Sequence, residues 1–541
     1  MRNRLKTVAH IIFNMGIPSF FSHLVKDHPD CIKEITNERH IDNLYLDSNS
    51  IIYDCVHKLA EQYENDVSFE DMLLESVLAK ITDYVTTLRP TKRCMVAFDG
   101  VAPVAKLNQQ RNRRYKSMIE GMIDDKLSGY EKRSWNTAAI TPGTGFMKKL
   151  MGYLREKLQT HEYRDAFIFS GSDEAGEGEH KIFEFIRRNQ CSSFSKETHV
   201  IYGLDADLIM LTLNHLYVSE NISLFRETPH FISHIDSSLE PDKLYCLDIP
   251  FLAETIAHEM GKYRVIDRKH RFIINDYIFL CFILGNDFMP HFPSINIRTN
   301  GIDILLETYK TVIGTTRYFL TNNEKINWNQ VRRLFMELRK SETLYLKKEH
   351  KNREQYESRE LPTETFEQQK YKYLLLPTKR REIEKFIDPG SRGWESRYYS
   401  SLCGITNSES NIKRICINYI EALEWTLHYY VKGCKNWRWS YNYSYPPLIC
   451  DLCKFLPCFE SQFVASTEQA PVDTLVQLSY VMPRQSLHLL GNDISHNLLT
   501  EFPEQYRLDY TQKWSYCKYI WESHVDLPYF SIESLEKTLV V

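Results

Sequence analysis

Along the first 310 residues, short runs of β-branched and aromatic residues alternate with longer stretches whose apolar positions recur every three or four residues. NLYL, CMVAF, AFIF and HVIY have the length and composition of strands. The stretches DMLLESVLAKITDYVTTL and GFMKKLMGYLREKLQ have the amphipathic spacing of crossover helices. This pattern predicts an α/β fold: a mostly parallel central sheet flanked by helices, over residues 15–323. A strongly charged stretch, LRKSETLYLKKEHKNREQYESRE, then breaks the alternation, and Pro377, Pro389 and Gly390 punctuate the residues after it. It predicts a charged connector, helical or mobile, over 324–385. From 386 to 541 the pattern is α-helical and rich in aromatic residues, densest in ALEWTLHYYVKGCKNWRWSYNYSYPP.

The predicted strands share one feature, an acid at the carboxyl end. NLYL ends in Asp47 and CMVAF in Asp99; AFIF leads to Glu177 and Glu179, and HVIY to Asp205 and Asp207. In open α/β sheets the ligand crevice lies outside the carboxyl ends of the strands, so acids distant in sequence can converge there. Residues i and i+2 point to the same side of an extended backbone, so Glu177-Gly-Glu179 and Asp205-Ala-Asp207 each suit two carboxylates aimed at one point. Asp287, in LGNDFMPHFP after the run YIFLCFIL, completes a set of seven. Asp173 and Glu174 read as ordinary helix-start acids.

Two carboxylates about 5 Å apart repel by roughly 3 kcal/mol at an effective dielectric near 20. Seven together require counter-charge. With no His or Cys at ligand spacing, an all-oxygen set favours Mg²⁺ or Mn²⁺ over zinc. Two such ions about 3.5 to 4 Å apart would activate a water and stabilise the leaving oxygen of an in-line phosphoryl displacement.

Directly after Asp99 comes GVAPVAKLNQQRNRRYK. On a helix, Lys106, Gln110, Arg113 and Arg114 fall on one face, and Arg in particular offers bidentate donors to phosphate oxygens. The net charge of −4 excludes a uniformly basic nucleic-acid binder but allows a local basic groove. Thirteen scattered cysteines predict free thiols in a reducing compartment. No run of 18 apolar residues occurs, so the sequence predicts no membrane association.

Eight segments in order, MGIPSFF, DSNSIIYD, FDGVAPVAKLNQQRNRR, TPGTGFM, GEGEHKI, GLDADLIML, LGNDFMPHFP and EWTLHYYVKGCKNWRWSYNYSYPP, resemble the signature segments of the XRN-type 5′-to-3′ exoribonucleases, relatives of the flap endonucleases. The resemblance covers residues 15 to about 530. It implies a flap-nuclease-like (PIN-like) catalytic core with an XRN helical domain behind it. Asp47, Asp99, Glu177, Glu179, Asp205, Asp207 and Asp287 would be the catalytic, metal-binding acids, holding two Mg²⁺ or Mn²⁺ ions. Lys106, Gln110, Arg113 and Arg114 would bind the 5′-terminal phosphate. The implied substrate is single-stranded RNA with a 5′-monophosphate, released as 5′-mononucleotides. The implied partner is a decapping activity, the implied state a monomer, and the compartment cytoplasmic, the family having nuclear members as well.

The chain departs from the family at several positions. Tyr53 stands where members have a stacking histidine, and Trp437 is preferred over Trp439 as the opposite wall of that base-stacking site. Val104 and Ser50 replace an expected arginine and glycine. Fourteen residues precede the methionine of MGIP as an N-terminal extension, and the chain reads as a minimal core. Two alternatives stay open: a 5′ DNA or flap nuclease on the same metal plan, and a catalytically inactive RNA-binding scaffold.

Overall fold

The computed structural model describes residues 28–36, 39–129, 133–203, 205–227, 239–240, 243–261, 270–467 and 469–539. MGIPSFF and the extension at 1–14 lie outside the described residues. The strands are β1 (Ile32–Glu34), β2 (Asn43–Asp47), β3 (Arg93–Ala97), β4 (Phe167–Ser170), β5 (His199–Tyr202), β6 (Ile222–Glu227) and β7 (Leu244–Asp248). They form one sheet in the order β1-β7-β6-β5-β2-β3-β4. The pairs from β6 through β4 are parallel, while β7 runs antiparallel to β6 and to β1. The four predicted strands are thus the central β5, β2 and β3 together with the edge strand β4, and β1, β6 and β7 extend the opposite edge.

Alternation along β2 divides the core. Leu44 and Leu46 face a layer built by α1 (Asn49–Leu59), α2 (Asp66–Leu88) and, beyond the basic helix α3 (Val104–Ser128), α4 (Gly145–Gln159). Tyr45 points the other way, into a cluster with α5 (Gly178–Arg188), α6 (Ala206–Asn214) and α7 (His270–Ile283). Strands buried on both faces are near-continuous apolar runs, which is why they were legible in the sequence.

The second cluster does not stop at the sheet. It runs without a break into α8 (Trp328–Leu338), α9 (Glu342–Glu357) and the long α10 (Glu409–Lys432). The stretch 324–385, expected as a charged connector, helical or mobile, is largely helical and packed. Its charges have internal work: the Glu342 carboxylate accepts from the Ile449 and Cys450 N–H groups (2.6 and 2.9 Å), and Arg353 pairs with Glu384 (2.7 Å) and donates to the Cys517 carbonyl (2.8 Å). Among the described residues no helix is long and apolar enough to cross a membrane. All thirteen cysteines are free thiols.

Candidate active site

The strand order reverses between β2 and β5, because the chain leaves β2 for β3 and β4 on one side and returns to β5 on the other. A doubly wound sheet opens a crevice at such a point. Asp47 ends β2, and Asp205 follows β5 across that gap. The register sets Asp47 level with Ala97 and Ala97 level with Ser170, so Asp99 projects two residues past its strand.

The two spaced pairs arise differently from the expectation of extended backbone. Glu177 and Asp205 are the N-cap residues of α5 and α6, with extended φ/ψ, while Glu179 and Asp207 already lie in the first helical turn. Each pair therefore sits at a helix N-terminus, where unpaired N–H groups and the helix dipole favour negative charge. Gly178 has no room for a side chain, since a Cβ there would lie 2.7 Å from Asp47 Oδ1. Its N–H donates to Asp99 Oδ1 (2.7 Å), and Asn49 Nδ2 donates to the other Asp99 oxygen (2.6 Å).

All seven acids line one cavity of about 2120 Å³. Asp47, Glu179 and Asp205 bring one carboxylate oxygen each within 4.8 Å of one another, and Glu177, Glu179 and His180 form a second such group. Burial first, and then the neighbouring acids, push Asp47 and Glu179 well above the usual carboxylate range. Asp207 is raised to about 8 by burial and by Asp287. Burial likewise raises Glu177 and Asp205, against the charge of Lys106.

Lys106 lines the same cavity and also contacts the acids. It starts the basic helix, and its ammonium lies 2.5 Å from Glu177 Oε2 and 2.8 Å from Asp287 Oδ2. Burial opposes its charge, yet Asp287 and Glu177 hold it well above the usual lysine range. Side chains on a helix lean toward its N-terminus, so Lys106 at the first turn of α3 reaches back to the acids. It supplies counter-charge to the ring.

Gln110, Arg113 and Arg114 also line the cavity, as does Tyr53 on α1. Gln110 Oε1 and Arg114 Nε are buried with no protein partner. Burial lowers Arg114 to about 10, while Tyr53 acts in the other direction. Ser50 Oγ donates to the Asp47 carbonyl (3.0 Å), and Val104 is buried at the head of α3. The two tryptophans considered for the stacking wall are placed differently. Trp439 lines the cavity; Trp437 is outside the lining, and its carbonyl accepts from the Val104 N–H (2.9 Å).

Two residues that sequence reasoning missed complete the site. Tyr429 donates to Glu177 Oε1 (2.7 Å) and Tyr430 to Asp207 Oδ1 (2.6 Å), both from α10. Nothing local in LHYYVK marks them, since their partners are 252 and 223 residues away. The acids fit a divalent cation: several carboxylates converge, burial and then the neighbouring acids raise Asp47 and Glu179, and the Lys106 ammonium alone cannot neutralise seven of them.

The comparisons with known proteins agree with this geometry. Residues 15–228 match the family described as XRN 5′-3′ exonuclease N-terminus, and residues 268–383 and 376–540 match the Xrn1 helical domain. The chain belongs to the XRN 5′-3′ exonuclease family. Its relatives include 5′-3′ exoribonuclease 1 of Schizosaccharomyces pombe, 27% identical across 95% of this chain, and 5′-3′ exoribonuclease 2 of Debaryomyces hansenii, 27% identical across 97%. 5′-3′ exoribonuclease 1 of Homo sapiens is 27% identical across 96%. The chain spans 48%, 70% and 34% of the lengths of these three XRN proteins. The two matched regions meet at the site: the N-terminal one carries Asp47 through Asp207, and the helical one carries Asp287, Tyr429, Tyr430 and Trp439.

Proposed function

We propose that the chain is a metal-dependent 5′-to-3′ exoribonuclease that acts on single-stranded RNA with a 5′-monophosphate and releases 5′-mononucleotides. The observation that carries this reading is that seven carboxylates and Gln110, Arg113 and Arg114 of α3 line one cavity. Family membership supports the reaction class.

Asp47, Glu179 and Asp205 would hold a divalent cation, Mg²⁺ or Mn²⁺, with the remaining acids completing a two-ion set. Such ions supply Lewis-acid charge to the scissile phosphate and lower the pKa of an attacking water. The chain's own groups do the rest. Arg113 and Arg114 offer planar donors to a terminal phosphate, which orients the first nucleotide. Tyr53 and Trp439 give sequence-tolerant stacking faces to the bases, as a general nuclease requires. A 5′-monophosphate end has to be supplied by a decapping or pyrophosphate-releasing reaction upstream.

The test compares one single-stranded RNA carrying a 5′-monophosphate or a 5′-triphosphate, with Mg²⁺, using wild type and Asp207→Ala. Mononucleotide release from the monophosphate RNA alone, lost in the variant, supports the reading. Equal decay of both ends would overturn the end selection, and decay unaffected by the substitution would overturn the site.

A further inference from the structure

An aromatic stack connects the cavity wall to one of the acids. The Trp439 ring, on the cavity, stacks on Trp425 (centroids 5.2 Å apart, planes 24° apart). Trp425 stacks on Tyr429 (4.7 Å, 23°), and Tyr429 stacks on His180 (3.7 Å, 29°). Phe288 meets the Tyr429 ring edge-on (5.3 Å, 85°). The ring is thus clamped between Trp425 and His180, and it ends in the hydroxyl that donates to Glu177 Oε1. Hydrogen bonds pin the other members: Trp425 Nε1 donates to the Asn436 carbonyl (2.9 Å) and Trp439 Nε1 to Glu421 Oε2 (3.2 Å).

Tyr430 forms the second arm. Phe282 packs on its ring (5.0 Å, 59°), His180 meets it edge-on (6.2 Å, 89°), and its hydroxyl donates to Asp207 Oδ1. Consecutive helical residues diverge by about 100°, so adjacent residues of α10 reach acids on two different helices, α5 and α6. Glu177 is then held at both oxygens, by Tyr429 at Oε1 and by Lys106 at Oε2, which fixes its plane. Asp207 is held at Oδ1 by Tyr430.

We propose that Tyr429 and Tyr430 are positioning residues that orient Glu177 and Asp207 for metal binding, with the Trp439–Trp425–Tyr429–His180 stack as the device that fixes the Tyr429 hydroxyl. The inference rests on the metal-dependent reading above. Groups that orient metal ligands typically change metal affinity or activity by 10- to 100-fold when removed. A phenylalanine keeps each ring and its stacking while deleting only the hydroxyl.

The test uses the full chain as wild type, Tyr429→Phe and Tyr430→Phe. Mn²⁺ affinity is measured without RNA by electron paramagnetic resonance titration; the Mg²⁺ concentration for half-maximal turnover, kcat and the KM for a 5′-monophosphorylated RNA are measured alongside. The expected result is Mn²⁺ binding weakened about 10- to 100-fold in at least one variant, a matching rise in the Mg²⁺ requirement, partial recovery of kcat at saturating Mg²⁺, and unchanged KM for RNA. Wild type that binds Mn²⁺ with both variants indistinguishable from it would overturn this inference alone. A variant that loses RNA binding in step with turnover, with Mn²⁺ affinity intact, would also overturn it. Wild type that binds no Mn²⁺ would overturn the metal reading and, with it, the positioning role.

Discussion

Lys106 Nζ lies 2.8 Å from Asp287 Oδ2, joining the first turn of the basic helix to the turn after α7. The same ammonium also contacts Glu177, so a single buried cation bridges the two regions that the family matches define. Removing one partner of a buried ion pair typically costs 3 to 5 kcal/mol. Lys106→Met is expected to lower the melting temperature in chelator, and added Mg²⁺ is expected to recover more stability in the variant than in wild type. Thermal melts with and without Mg²⁺ check this; an equal Mg²⁺ response in both proteins would contradict the counter-charge role.

The raised acids set the direction of the pH response. A carboxyl raised in the folded state keeps a proton that the unfolded chain has released, so between the ordinary range near 4 and about 8 for Asp207 the metal-free protein loses stability as pH rises. A cation must displace those protons. Mn²⁺ affinity is therefore expected to strengthen from pH 5.5 to pH 8, with proton release seen as a buffer-dependent binding enthalpy. Affinity flat across that interval would contradict the raised values.

The Gly178 backbone packs directly against the acids. A methyl group there would lie 2.7 Å from Asp47 Oδ1 and 3.5 Å from Asp99 Oδ1. Gly178→Ala is expected to cut turnover by about 100-fold, as a displacement of roughly 1 Å at a reacting centre does, while RNA binding persists. Steady-state kinetics beside a binding titration separates the two, and near-wild-type turnover would refute the close fit.

Trp439 and Trp437 make a paired comparison. Trp439→Ala is expected to weaken single-stranded RNA binding by about 1 to 3 kcal/mol, the worth of one base stacked on an aromatic ring, across all sequences alike. Trp437→Ala is expected to change it far less, because its contact with α3 runs through its backbone carbonyl. Fluorescence anisotropy with a labelled oligonucleotide reads both, and a larger loss at Trp437 would reverse the assignment of the wall.

A short window of sequence holds strand ends and helix periods but not the docking of distant elements. Asp47, Asp99 and Asp205 were legible because each comes after an apolar strand, and strand direction alone places them at one edge of the sheet. Strands β1, β6 and β7 were not, since ISLFRE and LYCLD carry polar residues at the antiparallel edge and IKE is only three residues long. Period places Lys106, Gln110, Arg113 and Arg114 on one face of α3, and all four line the cavity, but period cannot tell that the first turn of that helix begins beside the acids that Lys106 contacts. Tyr429 and Tyr430 depend on how α10 docks against α5 and α6, a tertiary relation with no local signature.

The most direct test of the proposed reaction tracks one monophosphorylated RNA labelled at either end, with Mg²⁺, in wild type and Asp205→Asn. With wild type, 5′ label is expected to appear at once as mononucleotide with no ladder of intermediates, and 3′ label to persist until the last residues; the variant is expected to do neither. Internal fragments, or 3′ label released first, would contradict a 5′-to-3′ exonuclease.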